Sequence, residues 1–350
     1  MNDAPDSVPT PLLLHEMAFS LGTTAALVAA VRLNVPDALD KAPTGAADLA
    51  RTVGAHPEAM EQLLRALAAR GVFRAQDDGR YVHTEASRLL RKDAPGTRRT
   101  MVLLAGAPFA WQVWSHLTDA VRTGESVCQD LFGTDLFSHL EKNDPDLGAL
   151  FNRAMSQSGE TTMQPVVEAL SVGDTDTIAD IGGGHGTLLR MLLERHPTTQ
   201  GVLFDLPQVV EGAEKRLTDG DLSGRCRVLG GDCRRAIPVE ADTYLLKNVV
   251  HMWDDATVVG VLRTLLDAAP AGARIVLVEQ VLNATRTLRS ATTMDLLMLV
   301  TQGGRERTTA GFTRLLERAG LPAPRIVPAG PAAFLVETVV PADVRRAAPR

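Results

Sequence analysis

The run Thr177-Ile-Ala-Asp-Ile-Gly-Gly-Gly-His-Gly-Thr-Leu-Leu-Arg-Met-Leu-Leu-Glu-Arg-His-Pro197 decides the fold. Its first residues are a short, largely apolar strand, its last ones a helix, and a glycine loop joins them. A glycine motif carries meaning only in that order of strand, loop and helix. A dinucleotide fingerprint, Gly-x-Gly-x-x-Gly, counted from Gly182 requires glycine at 187, where the chain has Thr187. The pattern present is Asp-x-Gly-x-Gly-x-Gly, from Asp180 to Gly186. Gly182 and Gly184 let the backbone come close to a bound ligand. Asp180, at the strand end, can accept a hydrogen bond from an ammonium group, directly or through water.

Downstream the rhythm repeats. The segments TIADI, GVLFD, CRVLGGD, DTYLLKN, RIVLVEQ and AFLVETV alternate with helical stretches. Continuous Val/Ile/Leu strands separated by helices predict a parallel sheet covered on both faces. Ligands of such sheets bind beyond the carboxyl ends of the strands. The second strand ends at Asp205, 25 positions after Asp180 and next to Leu206. An acid there can accept both ribose hydroxyls of an adenosine. The third ends in Gly230-Gly-Asp232-Cys233, where Asp232 can bond the adenine amino group and Cys233 can pack on the ring. One strand-end aspartate is often only a helix cap. Three at successive strand ends form a constellation. With the glycine loop they resemble the first signature of class I methyltransferases. That resemblance implies S-adenosylmethionine as cofactor and a Rossmann-like, doubly wound α/β fold.

Upstream, apolar residues recur at three- and four-residue spacing from Leu12 to Val35, which predicts helix. ADLARTVGAHPEAMEQLLRALAARGVF follows. It reads as a short helix, a turn at Gly54 and a second helix with Leu63, Leu64, Leu67 and Ala68 on one face. Gly71 stands where a C-terminal cap belongs. VFRAQDDGRYVHT is two alternating segments joined by Asp-Asp-Gly, a hairpin signal. Helix, turn, helix and hairpin make the plan of a winged helix. Its second helix carries Arg65 and Arg70 but also Glu58 and Glu61, so it presents no basic stripe for DNA. The acidic break Val172–Asp176 precedes the change of rhythm. The expected domains are a mostly helical, winged-helix-like one over 1–165 and an α/β one over 166–350.

Composition narrows the function classes. A formal net charge of -6 argues against nucleic acid as a partner. Cys128, Cys226 and Cys233 form no CxxC pair, so neither a disulfide framework nor structural zinc is expected. MNDAPDSVPT is unlike a signal peptide, and the apolar run Leu21–Val31 is too short to span a bilayer. A cytoplasmic protein without membrane contact is the expectation.

The fourth strand runs into Leu246-Lys-Asn-Val-Val-His-Met-Trp-Asp-Asp255. With Phe204-Asp-Leu-Pro207, Gly231-Asp232, Gly303-Gly-Arg-Glu-Arg-Thr308 and Phe151-Asn-Arg-Ala-Met155, it resembles the plant-type small-molecule O-methyltransferases and their bacterial natural-product relatives. The resemblance spans essentially the whole chain. It implies a homodimer through the N-terminal domain, His251 as general base, Glu279 and Glu306 as its orienting partners, and Lys247 in the cofactor site. A histidine near pKa 6.5 can take the proton of a phenol as its oxygen attacks a sulfonium methyl. Met155, Trp111 and Met298 are candidate contacts for a small aromatic hydroxylated substrate, with Asp295 as a polar one. Met252 stands where many relatives have aspartate, so substrate-side polarity can differ. No carboxylate cluster of the kind that holds a cation in catechol methyltransferases follows the fourth strand, so a metal-independent reaction is expected. Two other readings compete with this one. A relative repurposed for hydroxylation or decarboxylation typically loses the basic histidine, and a ligand-sensing DNA-binding regulator is opposed by the acidic balance.

Overall fold

A computed structural model of the chain describes residues 9–39, 42–173 and 176–342. The first eight residues of the polar start, and Asp174 and Thr175 of the acidic break, lie outside these. The chain forms two compact units, Met1–Trp111 with Asp144–Ser158, and Gln112–Asn143 with Gly159–Arg350.

The first unit carries the expected helix, turn, helix and hairpin. Helix Ala46–Val53 ends at Gly54 with a left-handed φ of 70°. Helix Pro57–Ala68 buries Met60, Leu64 and Leu67, an i, i+4, i+7 stripe. Strands β1 (Thr44–Gly45), β2 (Phe73–Ala75) and β3 (Arg80–His83) form a small sheet in the order β1-β3-β2. β2 and β3 pair antiparallel, Phe73 opposite His83. Val35, Leu39, Leu49, Phe73 and Tyr81 close the core.

The second unit is built on a seven-stranded sheet. Its strands are β4 (Thr177–Ile181), β5 (Gln200–Asp205), β6 (Cys226–Gly230), β7 (Thr243–Lys247), β8 (Arg274–Glu279), β9 (Arg325–Pro328) and β10 (Phe334–Val339). They run in the order β6-β5-β4-β7-β8-β10-β9. Alternate side chains point to opposite faces, and both faces are covered. Ile181, Phe204, Tyr244, Leu246 and Leu277 pack with helices Asp255–Ala268 and Thr309–Ala319. Ile178, Leu203, Leu245 and Val276 pack with helix Thr187–Arg195 and the end of helix Pro145–Ala169. Crossing from β4 to β5 on one side and to β7 on the other reverses the strand order there, and a crevice opens at such a switch point.

One expectation needs correction. The sheet is parallel from β6 to β8, but β10 is antiparallel to both β8 and β9. A link of only 329–333, closed by Ala329 N–H donating to the Ala333 carbonyl, reverses the chain. A parallel return needs a crossover of about a dozen residues or more. β9 itself was not expected. It is a half-exposed edge strand ending in Pro328, and proline is tolerated at such edges.

Candidate active site

The glycine loop leaves β4 by a tight path. Gly182 has φ 69°, and a Cβ there would lie 2.7 Å from Cγ2 of Val249. The loop thus rests against the segment that follows β7. Gly184 has φ 61°, a Cβ there would meet nothing within 4 Å, and its N–H donates to Asp205 Oδ2 at 2.7 Å. Glycine at 182 answers to close approach, and at 184 to backbone conformation beside open space.

Asp180 lies in β4, 1% exposed. Neither carboxylate oxygen has a hydrogen-bond partner among the described residues. Burial pushes this carboxyl up to about 7, with the Lys247 ammonium pulling the other way. Asp205 Oδ1 accepts the N–H of Leu206 at 2.7 Å. Burial raises the Asp205 pKa, and the N–H bonds of Gly184 and Leu206 offset part of that. Asp232 is held by Arg234, whose Nε and Nη2 lie 3.0 and 2.9 Å away, and this bond lowers its carboxyl below the usual range. The Cys233 thiol is buried and pushed up to about 12 by that burial. Lys247 ends β7; burial holds its ammonium below the ordinary lysine value, and the charges of Asp180 and Glu279 oppose this. These residues fit the group that the motif implies. An orphaned buried carboxylate answers an ammonium, the loop leaves room above Gly184, and Asp205 offers further acceptor capacity to hydroxyls.

His251 stands in the 3-10 turn Val250–Met252. Its Nδ1 lies 2.8 Å from Glu306 Oε1 and 3.7 Å from Glu279 Oε2. Glu279, at the end of β8, accepts the N–H groups of Val249 and Val250 on Oε1, each at 3.0 Å. Oε2 of Glu279 and Oε2 of Glu306 have no hydrogen-bond partner among the described residues. Burial drives the imidazole pKa down, but Glu279 and Glu306 outweigh it and hold His251 above its ordinary value. Burial pushes Glu279 up to about 6, while His251 draws it down. Nδ1 facing a carboxylate carries the proton in the neutral ring, which leaves Nε2 as the free base.

Among the described residues, His251, Glu279 and Glu306 also form a group with ligand atoms within 4.8 Å of one another, the span of a cation site. The 2.8 Å contact is a direct hydrogen bond. Oε1 of Glu279 accepts two backbone donors, while its Oε2 is the oxygen that faces His251.

Asp295, expected as a substrate contact, places Oδ1 2.7 Å from the N–H of Glu306 and holds that loop. Met298 accepts the Gly304 N–H at its carbonyl, and Met252 packs half-buried against the core. Trp111 and Met155 belong to the first unit. Trp111 donates its indole N–H to the Gly106 carbonyl at 3.2 Å, and Met155 is 41% exposed. Sequence reading passed over Arg307, although it stands in the quoted run Gly303–Thr308. It is 4% exposed, and its guanidinium bonds Asp255 and the carbonyls of Val250 and Trp253.

A family model for an O-methyltransferase domain matches residues 114–322, and one for an O-methyltransferase dimerisation domain matches 15–93. The chain belongs to the O-methyltransferase family. This methyltransferase is 38% identical over 306 residues to the mitomycin biosynthesis 6-O-methyltransferase of Streptomyces lavendulae, covering 87% of either chain. It superposes with a TM-score of 0.85 on CalO1, a methyltransferase in calicheamicin biosynthesis solved with S-adenosylhomocysteine, at 31% identity over 97% of this chain and 100% of that one. It also resembles NcsB1, an O-methyltransferase from neocarzinostatin biosynthesis solved with S-adenosylmethionine and 2-hydroxy-5-methyl naphthoic acid. There the TM-score is 0.76, at 32% identity over 91% of this chain and 96% of that one. The enzyme uses S-adenosylmethionine. The hydroxylation, decarboxylation and DNA-regulator readings find no support in these relatives.

Proposed function

We infer that the enzyme methylates a phenolic or enolic hydroxyl of a small aromatic metabolite in natural-product biosynthesis, without a metal, and that His251 is the general base. One observation carries this reading: a partly buried imidazole with its Nδ1 hydrogen-bonded at 2.8 Å to Glu306, and so with Nε2 free to accept a proton. Asp180, Gly182, Gly184, Asp205, Leu206, Asp232, Cys233 and Lys247 hold the cofactor. When bound, S-adenosylmethionine supplies a methyl group on a positively charged sulfur. A phenol, with a pKa near 10, is a poor nucleophile at neutral pH. His251 would take the proton of the acceptor hydroxyl, and Glu306 and Glu279 would stabilise the resulting imidazolium. Base catalysis of this kind contributes roughly 10²–10⁴-fold. Met155, Trp111, Met252, Asp295 and Met298 are the proposed acceptor contacts. The naphthoic acid bound by NcsB1 supports a planar, hydroxylated acceptor. A cytoplasmic homodimer is the proposed state.

The test is incubation with labelled cofactor and a panel of phenolic acids, naphthoates and quinone-type scaffolds, with product read by mass, in the presence and absence of EDTA. A methyl ether formed equally in both supports the reading. Activity abolished by chelation refutes the metal-free part, and methyl transfer confined to other atoms refutes the hydroxyl.

A further inference from the structure

The 3-10 turn that carries His251 is only three residues long, and its backbone is tied at several points. Val250 donates its N–H to Glu279 and accepts Arg307 Nη1 at its carbonyl, at 3.0 and 2.8 Å. The His251 carbonyl accepts the N–H of Arg305 at 2.9 Å. The Trp253 carbonyl accepts Arg307 Nη2 at 2.9 Å. Asp255 Oδ1 accepts Nε and Nη2 of the same guanidinium, at 3.0 and 2.9 Å. Arg307 is itself anchored: it forms a parallel bridge with Val281, and its carbonyl accepts the Leu282 N–H at 3.0 Å. Those two residues lie just beyond Glu279. Arg307 therefore ties together the segments beside the site: its side chain holds the one that carries His251, and its backbone, next to Glu306, pairs with the one that follows Glu279.

We propose that Arg307 is the positioning residue of the base, a clamp that sets the His251 ring in register with Glu306. The proposal rests on the reading of His251 as general base. Arginine suits the task because its planar guanidinium presents five donors in a fixed fork, whereas a lysine ammonium is a point charge without that geometry. Glu306 immediately precedes Arg307 in the chain. Loss of the clamp therefore displaces both the imidazole and its acceptor, and a misplacement of about 1 Å can cost on the order of 10²-fold in rate.

The experiment follows the titration of His251 itself by NMR in the full chain labelled with ¹⁵N-histidine, the resonance being assigned by its absence in His251→Gln. No acceptor substrate is required. Removing a nearby positive charge alone would shift an imidazole titration upward, whereas losing the Glu306 contact shifts it downward. Both Arg307→Ala and Arg307→Lys are expected to lower the midpoint by about half a unit or more. Their affinity for S-adenosylhomocysteine, read by calorimetry, should stay within about threefold of the unaltered enzyme. Added methylguanidinium should restore the midpoint in Arg307→Ala. An unmoved or raised midpoint in a folded variant overturns the proposal. Should Arg307→Ala not fold, Arg307→Lys and Asp255→Ala, which removes the carboxylate from the fork, supply the same readout. Failure of His251 as the base would show separately, as full turnover in His251→Ala.

Discussion

His251 meets two carboxylates through one ring nitrogen, and that fixes the sign of its pH response. As the proposed base, it works only when neutral. Burial lowers its proton affinity, but Glu279 and Glu306 raise it further, so the ring deprotonates above its ordinary value. The acid limb of kcat/KM should accordingly have its midpoint above about 6.5, with activity rising with pH through it. Glu279→Gln removes one of the charges, while its amide oxygen can still accept the N–H groups of Val249 and Val250. Its acid limb should move to lower pH. His251→Ala should lose roughly 10²–10⁴ in turnover and keep its affinity for S-adenosylhomocysteine. A pH profile unchanged in Glu279→Gln, or full turnover in His251→Ala, would remove the base assignment. Histidine and both glutamates were legible in the sequence because each stands in a motif that resembles the family's. Their partners were not. Asp295 and Arg307 act across loops, on Glu306 and on the backbone of 250–253, and no spacing along the chain announces such contacts.

The strand-and-loop element from Thr177 to Gly186 carries the cost of a buried carboxylate without a partner among the described residues. Asp180 is buried without a hydrogen-bond partner among the described residues, and its pKa is pushed up to about 7 by that burial. A carboxyl raised in the folded state binds its proton more tightly there than in the unfolded chain. The stability it contributes is fully present below the unfolded value of 3.8 and is lost as pH rises through about 7. Asp180→Asn should therefore stabilise the cofactor-free enzyme at pH 8, by on the order of a few kcal/mol, and weaken cofactor binding. Thermal melts at pH 5 and pH 8, with calorimetry of S-adenosylhomocysteine, check both. No gain in melting temperature at pH 8, or unchanged affinity, would show that this carboxylate is neither strained nor a ligand. The element itself was plain in the sequence because strand, glycines and helix are local signals. What was not visible is that Gly182 lies against Val249, since a loop-to-loop contact depends on how β4 and β7 pair. Nor was it visible that Arg234 already occupies the Asp232 carboxylate. The edge strand β9 escaped for the opposite reason, being short, half-exposed and ended by Pro328.

At the scale of the whole molecule, the N-terminal helix cannot be explained by one chain. None of the residues of helix Thr10–Ala18 is buried. Leu14, Met17, Phe19 and Leu21 are each more than 60% exposed, a run of large apolar side chains that isolated proteins seldom leave in water. The dimerisation domain begins at residue 15, inside this stretch, so a second copy is its natural cover. Burial of apolar area at roughly 25 cal/mol per Å² would favour that association, and aspartate placed in the face would oppose it. Sedimentation should give a mass near twice 37.5 kDa for the unaltered enzyme. The double variant Leu14→Asp with Phe19→Asp should shift toward the single-chain mass. The proposed cofactor residues, from Asp180 to Lys247, all belong to the second compact unit of one chain. The dissociated variant should therefore still bind S-adenosylhomocysteine with affinity close to that of the unaltered enzyme. Sedimentation unchanged by the two aspartates would place the interface elsewhere. Loss of cofactor binding on dissociation would show that the second copy helps to complete the site.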